Sequence, residues 1–330
     1  TLLALGINVK KVFAPEHGFR GDASAGATVK DGKDSRTGIP LVSLYGKNKK
    51  PSKAQLEDVD VVIFDIQDVG ARFYTYISTM HYVMEACAEN GKTFIVFDRP
   101  NPNGHFVDGP VLEQAFSSFV GMHPVPLVHG MTVGEYAQMI NGEGWLAGGI
   151  KCSLQIIIAE GYTHSTMYSL PVPPSPNLPT MASVYLYPSL GLFEGTNISI
   201  GRGTDWPFEV VGRPDFKAGN FTFVPRSIAG KAEDPPHLGD TCRGYKLSAF
   251  AIDYIMQARE VYLFWVIGFY QAAPDKSAYF IPFFDKLAGT DKLRKQIIEG
   301  LDEKQIRASW QEGLQAYRKV RSKYLLYEDF

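Results

Sequence analysis

The fold class of this chain is decided by the stretch VDVVIFDIQDVG at residues 59–70. Its first eight residues are apolar except for Asp60 and Asp65, a pattern typical of a strand buried on both faces of a parallel sheet. A polar loop follows, and residues 73–90 then have helical spacing that stops at Gly91. A strand, a polar loop and a helix in this order predict one unit of an open α/β sheet.

The same order recurs along the chain. Apolar segments at residues 9–14, 93–97, 125–128 and 153–159 predict further strands, and helical patterns appear at residues 249–256, 286–300 and 306–324. We therefore predict an α/β fold with a Rossmann-like, mostly parallel sheet and a smaller α+β C-terminal domain. The expected divisions are 1–150 for the Rossmann-like domain with its strand-end loops, 151–243 for the continuation of the sheet with cleft-closing loops, and 244–330 for the smaller domain.

The composition excludes several classes of protein. The 330 residues carry a net charge of -2 with 45% hydrophobic residues, as in ordinary globular proteins. The absence of a long basic run argues against a nucleic-acid partner. The most apolar stretch, residues 261–273, is too short to cross a bilayer, which takes about 20 residues. The three cysteines form no CxxC pair, which argues against a structural zinc site and a dense disulfide framework.

Polar side chains follow the predicted strands. Ligands of open α/β sheets bind outside the carboxyl ends of the strands. We therefore expect the side chains at these ends to line one crevice. They are Glu16, His17, Asp65, Gln67, Asp68, Asp98, Arg99, Asn101 and His129.

Structural roles compete with function at these positions. Glu16 could instead cap a helix or pair with Arg20, and Asp65 and Asp68 are residue types that often form turns and salt bridges. The histidines and aspartates of the crevice could bind a metal, yet they have no HxH or HExxH spacing. The GRGT segment at residues 201–204 does not join a strand to a helix in a nucleotide-binding pattern. The spacing therefore predicts neither a metal ion nor a nucleotide cofactor.

Long motifs nevertheless resemble one bacterial family. They are FAPEHGFRG at residues 13–21, DIQDVGARFYTY at 65–76, DRPNP at 98–102, HGMT at 129–132, PPSPN at 173–177, EGTN at 194–197, GRGT at 201–204 and YLLY at 324–327. Together they cover nearly the whole chain. They are similar to the motifs of the NamZ-type exo-β-N-acetylmuramidases, glycoside hydrolase family 171, formerly a domain of unknown function.

The resemblance implies a Rossmann-like domain, a smaller C-terminal domain and an active site in the cleft between them. It also implies an exo-acting glycoside hydrolase that releases N-acetylmuramic acid from the non-reducing ends of peptidoglycan-derived disaccharides and glycan fragments. The glutamate of the family's PEHG motif is Glu16, the expected general acid/base, and His17 and Asp68 are further candidate catalytic residues. Many family members are exported or lipid-anchored, so a periplasmic or secreted location is expected.

The muramic acid substrate carries a lactyl carboxylate. A planar guanidinium can hold a carboxylate through two charge-assisted hydrogen bonds. The candidates are Arg20, Arg72 and Arg202, with salt bridges as the alternative, and we expect Arg72 or Arg202 to distinguish N-acetylmuramic acid from N-acetylglucosamine. The other candidate substrate-binding residues are Asp65, Gln67, Tyr74, Asn101, His129, Asn177, Glu194 and Asn197.

Two departures from the family pattern affect the expected site. The chain begins after the family's first strand and its asparagine-containing loop, and Ile200 stands where many relatives place a glutamate, so position 200 is not expected to be catalytic. Retention or inversion depends on the distance between carboxyl groups, which the sequence leaves open. Two rival functions also stay open, a non-catalytic cell-wall sugar-binding protein and, on fold analogy alone, a cofactor-dependent Rossmann enzyme.

Overall fold

A computed structural model of the chain describes residues 2–20 and 31–330. The strands of these residues are β1 Val12–Ala14, β2 Gly32–Lys33, β3 Pro40–Ser43, β4 Val61–Phe64, β5 Thr93–Phe97, β6 Ser153–Ile157, β7 Val210–Arg213, β8 Phe221–Phe223 and β9 Cys242–Lys246. The α-helices are α1 Lys53–Leu56, α2 Tyr76–Glu89, α3 Val133–Gly142, α4 Met181–Leu190, α5 Ser248–Phe250, α6 Met256–Ala258, α7 Phe264–Gln271, α8 Phe283–Ala288, α9 Lys292–Glu299, α10 Glu303–Ser309 and α11 Gln311–Arg321. Within these ranges no helix combines the length and the apolar character needed to span a membrane.

Three small sheets carry the strands. β4, β5 and β6 form a parallel sheet in that order, and β1 pairs in parallel with β3, which carries β2 antiparallel on its other edge. In the second half of the chain, β7, β9 and β8 form an antiparallel sheet. The predicted α/β fold class is confirmed, together with a second unit whose sheet is antiparallel.

A groove separates the first two sheets. Among the described residues, β1 pairs only with β3 and β4 only with β5, so each leaves one edge without a backbone partner. A cavity of about 800 Å³ lies along these edges, with Val12, Phe13, Val61 and Ile63 in its lining.

The N-terminus of α2 differs from those of α3 and α4. Each of these helices has a threonine at its N-cap position. Thr132 of α3 and Thr180 of α4 accept a hydrogen bond from a backbone N–H of the first turn and form capping boxes. The side chain of Thr75, at the start of α2, makes no capping hydrogen bond. The backbone of Thr75 is itself helical, with a φ of -72° and a ψ of -2°, which is not the extended conformation that side-chain capping requires.

Three predicted elements differ from the structure. The segment at residues 125–128 contributes only isolated bridges, through Val128. The predicted helix at residues 286–300 is divided at Gly289, which has a φ of 74°. Gly289 ends α8 as a left-handed C-terminal glycine, and a Cβ there would lie 2.6 Å from Nη2 of Arg72, so no larger residue fits. The predicted helix at residues 306–324 is similarly divided at Trp310 into α10 and α11.

A chain of buried polar side chains connects α2 to α3. The hydroxyl of Tyr136 lies 3.0 Å from Nδ1 of His123, and Nε2 of His123 lies 2.9 Å from Nδ1 of His81. Glu85, which pairs with Lys50, lies 3.7 Å from Nε2 of His81. Burial lowers the pKa of His123 well below its usual value and also lowers the pKa of His81. Both imidazoles are therefore neutral in the folded protein at neutral pH.

We expect the free energy of unfolding to fall as the pH is lowered from about 7.5 to about 5.5. Unfolding exposes His81 and His123, which then bind protons below a pH of about 6.5 that the folded protein does not bind. The part of the free energy of unfolding that depends on these histidines is fully present above that pH. Below it, this part decreases by up to about 1.4 kcal/mol per pH unit for each histidine. Urea unfolding across this range measures the slope, which the double variant His81→Gln/His123→Asn should flatten. Equal stability of the wild type at both ends of the range contradicts this expectation.

The three cysteines, Cys87, Cys152 and Cys242, are buried and form no disulfide. Burial raises the pKa of Cys87 and of Cys242 to about 12, and that of Cys152 to about 11. Their thiols therefore stay protonated at neutral pH and act as small apolar groups.

Candidate active site

A small cleft of about 50 Å³ collects residues from both halves of the chain. Its lining residues are Glu16, His17, Phe73, Tyr74, Thr75, Tyr76, Ser175, Asn177, Leu178, Tyr187, Arg202 and Phe208. The larger cavity along β1 and β4 shares Tyr76 with this cleft, but most of its lining comes from strands and their flanking residues. Because the smaller cleft places a carboxylate, tyrosines and a guanidinium together, it is the better candidate for the active site. In the described ranges, no group of three or more His, Cys, Asp or Glu side chains is arranged to hold a metal ion.

The loop after β1 carries Glu16 into the cleft. β1 ends at the buried Ala14, and the chain then turns through His17 and Gly18, whose φ angles are 68° and 73°. This left-handed conformation suits glycine but costs a histidine about 1 kcal/mol or more. His17 is buried in this conformation beside Glu16. Such local strain is found most often at functional sites.

Both carboxylate oxygens of Glu16 accept hydrogen bonds. The hydroxyl of Tyr45 donates to Oε1 at 3.0 Å, and the hydroxyl of Thr75 donates to Oε2 at 2.9 Å. Tyr45 follows β3, and Thr75 precedes α2. The position of the carboxylate is therefore set by two separate segments of the chain.

Tyrosine rings form a wall of the cleft next to Glu16. The ring of Tyr74 meets that of Tyr76 edge to face at 5.0 Å between centroids and that of Tyr187 at 5.7 Å. Burial raises the pKa of Tyr76 to about 12, and the charge of Glu16 adds to this rise. Neutral aromatic rings beside a carboxylate are suited to hold the apolar face of a sugar ring.

Arg202 supplies a positive charge in the cleft. Its Nε and Nη2 atoms both lie 2.8 Å from Oε1 of Glu194, and its guanidinium lies 5.0 Å from the ring centroid of Phe208. Burial disfavours the charged form, but the neighbouring Glu194 and Tyr187 raise the pKa of Arg202 above its usual value overall. The charge of Glu16 contributes to the same rise. A permanent cation therefore faces the cleft, where it can attract an anionic ligand.

The structure brings some of the sequence-predicted site residues together. Those that line the cleft are Glu16, His17, Tyr74, Asn177 and Arg202, and Glu194 adjoins it through Arg202. The sequence did not point to Tyr45, Thr75, Ser175 or Phe208. Thr75 stands beside Tyr74 in one long motif and could have been found from it. Tyr45 lies outside every motif, so the sequence carries no signal for it.

Other predicted residues lie at the larger cavity instead. Asp65 pairs with Arg99 at 2.6 Å near the surface, and Arg20 pairs with Asp34 at 2.8 Å. The side-chain amide of Gln67 donates to two backbone carbonyl groups. The expectation that these side chains share a crevice with Glu16 does not agree with the structure. Successive side chains of an extended segment point to opposite sides, so neighbours at a strand end need not meet.

Asp68, Asn101 and His129 are buried outside the cleft lining, each no more than 4% exposed. Oδ2 of Asp68 accepts a hydrogen bond from the backbone of Gly70, and His129 Nε2 lies 3.8 Å from the same oxygen. The amide of Asn101 bonds to neighbouring backbone groups. Asn197, also outside the lining, accepts a hydrogen bond from a nearby arginine. Contrary to expectation, these four side chains hold loops in place and do not reach the cleft.

Arg72 is completely buried and is also absent from the cleft lining. Its guanidinium donates to the backbone carbonyl oxygens of Pro110, Val125 and Leu287 at 2.7 to 2.9 Å. Burial lowers the pKa of Arg72 to about 10. The side chain therefore connects the N-terminal half to α8, and the expected contact of Arg72 with a substrate carboxylate does not agree with its position.

We expect Arg72→Met to lower the free energy of unfolding by about 3 kcal/mol or more, because three buried carbonyl groups lose their donors. Urea unfolding measures this loss. The matched variant Arg99→Met, at a half-exposed ion pair, should change it by less than about 1 kcal/mol. A stable Arg72→Met variant would show that the buried hydrogen bonds do not hold the two halves together.

Known proteins resemble this chain over most of its length. The N-terminal model of a family described as exo-beta-N-acetylmuramidase NamZ matches residues 1–182, and the C-terminal model matches residues 185–327. The peptidoglycan beta-N-acetylmuramidase NamZ of Bacillus subtilis is 42% identical over 97% of this chain and 80% of its own length. Crystal structures of two DUF1343 family proteins of Bacteroides fragilis are also similar. The first has a TM-score of 0.92 and is 46% identical, and the match covers 100% of this chain and 89% of that one. The second has a TM-score of 0.74 and is 30% identical, and the match covers 98% of this chain and 87% of that one.

Proposed function

The chain belongs to the exo-beta-N-acetylmuramidase NamZ family, and from that premise we propose that its cleft releases N-acetylmuramic acid from the non-reducing ends of peptidoglycan-derived disaccharides and glycan fragments. The protein is thus a glycoside hydrolase that acts on peptidoglycan. The proposal that N-acetylmuramic acid is released from non-reducing ends rests on one observation, the cleft in which Glu16, tyrosine rings and the guanidinium of Arg202 lie together. Because peptidoglycan lies outside the cytoplasm, we further propose that the protein works in the periplasm or the medium.

Glu16 is the proposed general acid/base. Cleavage of a glycosidic bond requires a proton on the leaving oxygen as positive charge develops at the anomeric carbon. A carboxylic acid at Glu16 can give that proton to the leaving sugar and then take one from the attacking water. His17 lies next to it in the chain, and the tyrosine wall restricts the water that could compete for the proton.

Arg202 is proposed to hold the lactyl carboxylate of the substrate. The Nε and Nη2 atoms of its planar guanidinium contact Glu194, and its remaining N–H groups can donate two hydrogen bonds to a substrate carboxylate. The lactyl group distinguishes N-acetylmuramic acid from N-acetylglucosamine. A contact with this group would therefore provide the selectivity between the two sugars.

The first test is turnover of 4-nitrophenyl N-acetylmuraminide, with the matching N-acetylglucosaminide as the control substrate. We expect selective release of 4-nitrophenolate and of free N-acetylmuramic acid, which chromatography identifies. Saturable binding of the muraminide by the folded protein without any product would instead support the sugar-binding alternative. A thermal shift with dinucleotides but not with muraminides would support a cofactor-dependent enzyme.

A further inference from the structure

We propose that Tyr45 and Thr75 are positioning residues that hold the carboxyl group of Glu16 for the reaction. The inference rests on the proposed function, because it assumes that Glu16 is the reacting carboxyl group. It adds two residues for which neither the motifs nor the family relationship supplies a role. Three observations support it, which concern the hydrogen bonds to Glu16, the start of α2 and the burial of Tyr45.

The first observation is that the two hydroxyl groups take one oxygen of Glu16 each. Tyr45 donates to Oε1 and Thr75 donates to Oε2, at 3.0 and 2.9 Å. With both oxygens engaged, the plane of the carboxyl group is fixed as well as its position. When a catalytic carboxyl group is displaced by 1 Å from the leaving oxygen, the reaction rate can fall by about 100-fold. The two hydrogen bonds that hold Glu16 in place therefore affect turnover directly.

The two donors come from parts of the fold that share no backbone ladder in the described residues. Tyr45 follows β3 of the first sheet, whereas Thr75 follows β4 of the second sheet and begins α2. Glu16 itself follows β1. The two hydrogen bonds therefore fix Glu16 of the first sheet against α2, which carries part of the tyrosine wall of the cleft.

The second observation is that Thr75 does not cap its own helix. A threonine at an N-cap position normally accepts a backbone hydrogen bond, which contributes about 1 kcal/mol to stability. Thr132 and Thr180 do so in this protein, and Thr75 does not. Its hydroxyl donates to Glu16, as those of Thr132 and Thr180 donate to Asp98 and Glu209. The helical backbone of Thr75 excludes a side-chain cap, so its bond to Glu16 can be removed without the loss of a cap.

The third observation concerns the state of the Tyr45 hydroxyl. Burial raises the pKa of Tyr45 well above its usual range, and the charge of Glu16 adds to the rise. The hydroxyl thus keeps its proton at neutral pH and remains a donor to Glu16. A side chain that served as a proton carrier would need the opposite shift, so the role of Tyr45 is to orient Glu16.

The test compares variants that remove one hydroxyl each, Tyr45→Phe and Thr75→Val, with the conservative Thr75→Ser. Kinetics on a disaccharide with an N-acetylmuramic acid end should show kcat lower by about 10- to 100-fold for the first two, with KM changed by less than about 3-fold. Thr75→Ser should recover most of the activity because it keeps the hydroxyl. The melting temperature of Thr75→Val should stay close to that of the wild type, since no cap is lost.

Two matched controls separate positioning from general structural damage. Tyr324→Phe removes another tyrosine hydroxyl that donates to a glutamate, Glu143, at 2.6 Å, and should leave kcat unchanged. Thr132→Val removes a threonine that does cap its helix, and should lower the melting temperature by about 2 °C or more with kcat retained.

Three outcomes overturn the inference. If kcat is unchanged in Tyr45→Phe and Thr75→Val on a substrate on which Glu16→Gln is inactive, the positioning role is rejected and the proposed function remains intact. A fall in melting temperature of Thr75→Val equal to that of Thr132→Val, with no recovery of kcat in Thr75→Ser, assigns Thr75 to stability instead. Full activity of Glu16→Gln rejects the role of Glu16, and with it both the proposed mechanism and this inference.

Discussion

Glu16→Gln is expected to lower kcat on a disaccharide of N-acetylmuramic acid and N-acetylglucosamine by about 10³-fold or more. Glutamine keeps the size of the side chain, and its amide oxygen can still accept one of the two hydrogen bonds that Tyr45 and Thr75 donate to Glu16. It has no acidic proton for the leaving sugar, however, and a sugar alkoxide is a poor leaving group without one. Steady-state kinetics with chromatography of the released sugars measures the change.

The leaving group makes this prediction specific to an acid. The 4-nitrophenolate ion departs without being protonated, so Glu16→Gln should lose much less activity on the 4-nitrophenyl muraminide than on the disaccharide. Equal losses on both substrates would instead assign Glu16 to a step that both substrates share, either at the anomeric carbon or in the activation of the attacking water. The matched control is Glu143→Gln, which removes the charge of a glutamate that also accepts a tyrosine hydroxyl but lies outside the cleft lining. Retention of full disaccharide activity by Glu16→Gln contradicts the assignment.

Arg202→Ala is expected to reduce the preference for N-acetylmuraminide over N-acetylglucosaminide by about 100-fold, measured as the ratio of kcat/KM values. Loss of a two-point charge-assisted contact costs about 2 to 3 kcal/mol when the partner carboxylate is buried. The N-acetylglucosaminide has no lactyl group, so its own kcat/KM should hardly change. Chromogenic substrates of the two sugars provide the ratio directly.

Arg202→Lys separates charge from shape in the same experiment. Lysine keeps the positive charge but lacks the planar fork, so an intermediate loss of preference is expected. Arg99→Ala is the control, because Arg99 is a half-exposed arginine in an ion pair outside the cleft. An unchanged preference in Arg202→Ala would mean that another group recognises the lactyl carboxylate.

Local patterns predicted the elements of the sheet because they depend on neighbouring residues only. The spacing of residues 73–90 predicted α2, and the helix indeed ends before Gly91, which has a φ of 64°. The same local signal marks the break at Gly289, which ends α8 with a φ of 74°. Local patterns do not show the guanidinium of Arg72, which approaches from a distant part of the sequence and leaves no room for a side chain at Gly289.

The site was harder to predict because polar residues at strand ends serve two purposes. Asp98 was expected in the crevice, yet its carboxylate accepts hydrogen bonds from Thr132 and from the backbone of Gly134 at the start of α3. Glu16 has the same position after a strand but faces the cleft. Composition and spacing do not distinguish these cases, since the difference lies in which long-range partners each side chain meets.

Inert cysteines make this protein convenient for spectroscopic labelling. A thiol must be accessible and ionised to react with a maleimide or an iodoacetamide, and Cys87, Cys152 and Cys242 are buried with their pKa values raised. A single cysteine introduced on the exposed surface can therefore carry a fluorophore or a spin label without prior removal of the native ones. Pairs of such labels on the two halves of the chain would report distances in solution while substrate binds.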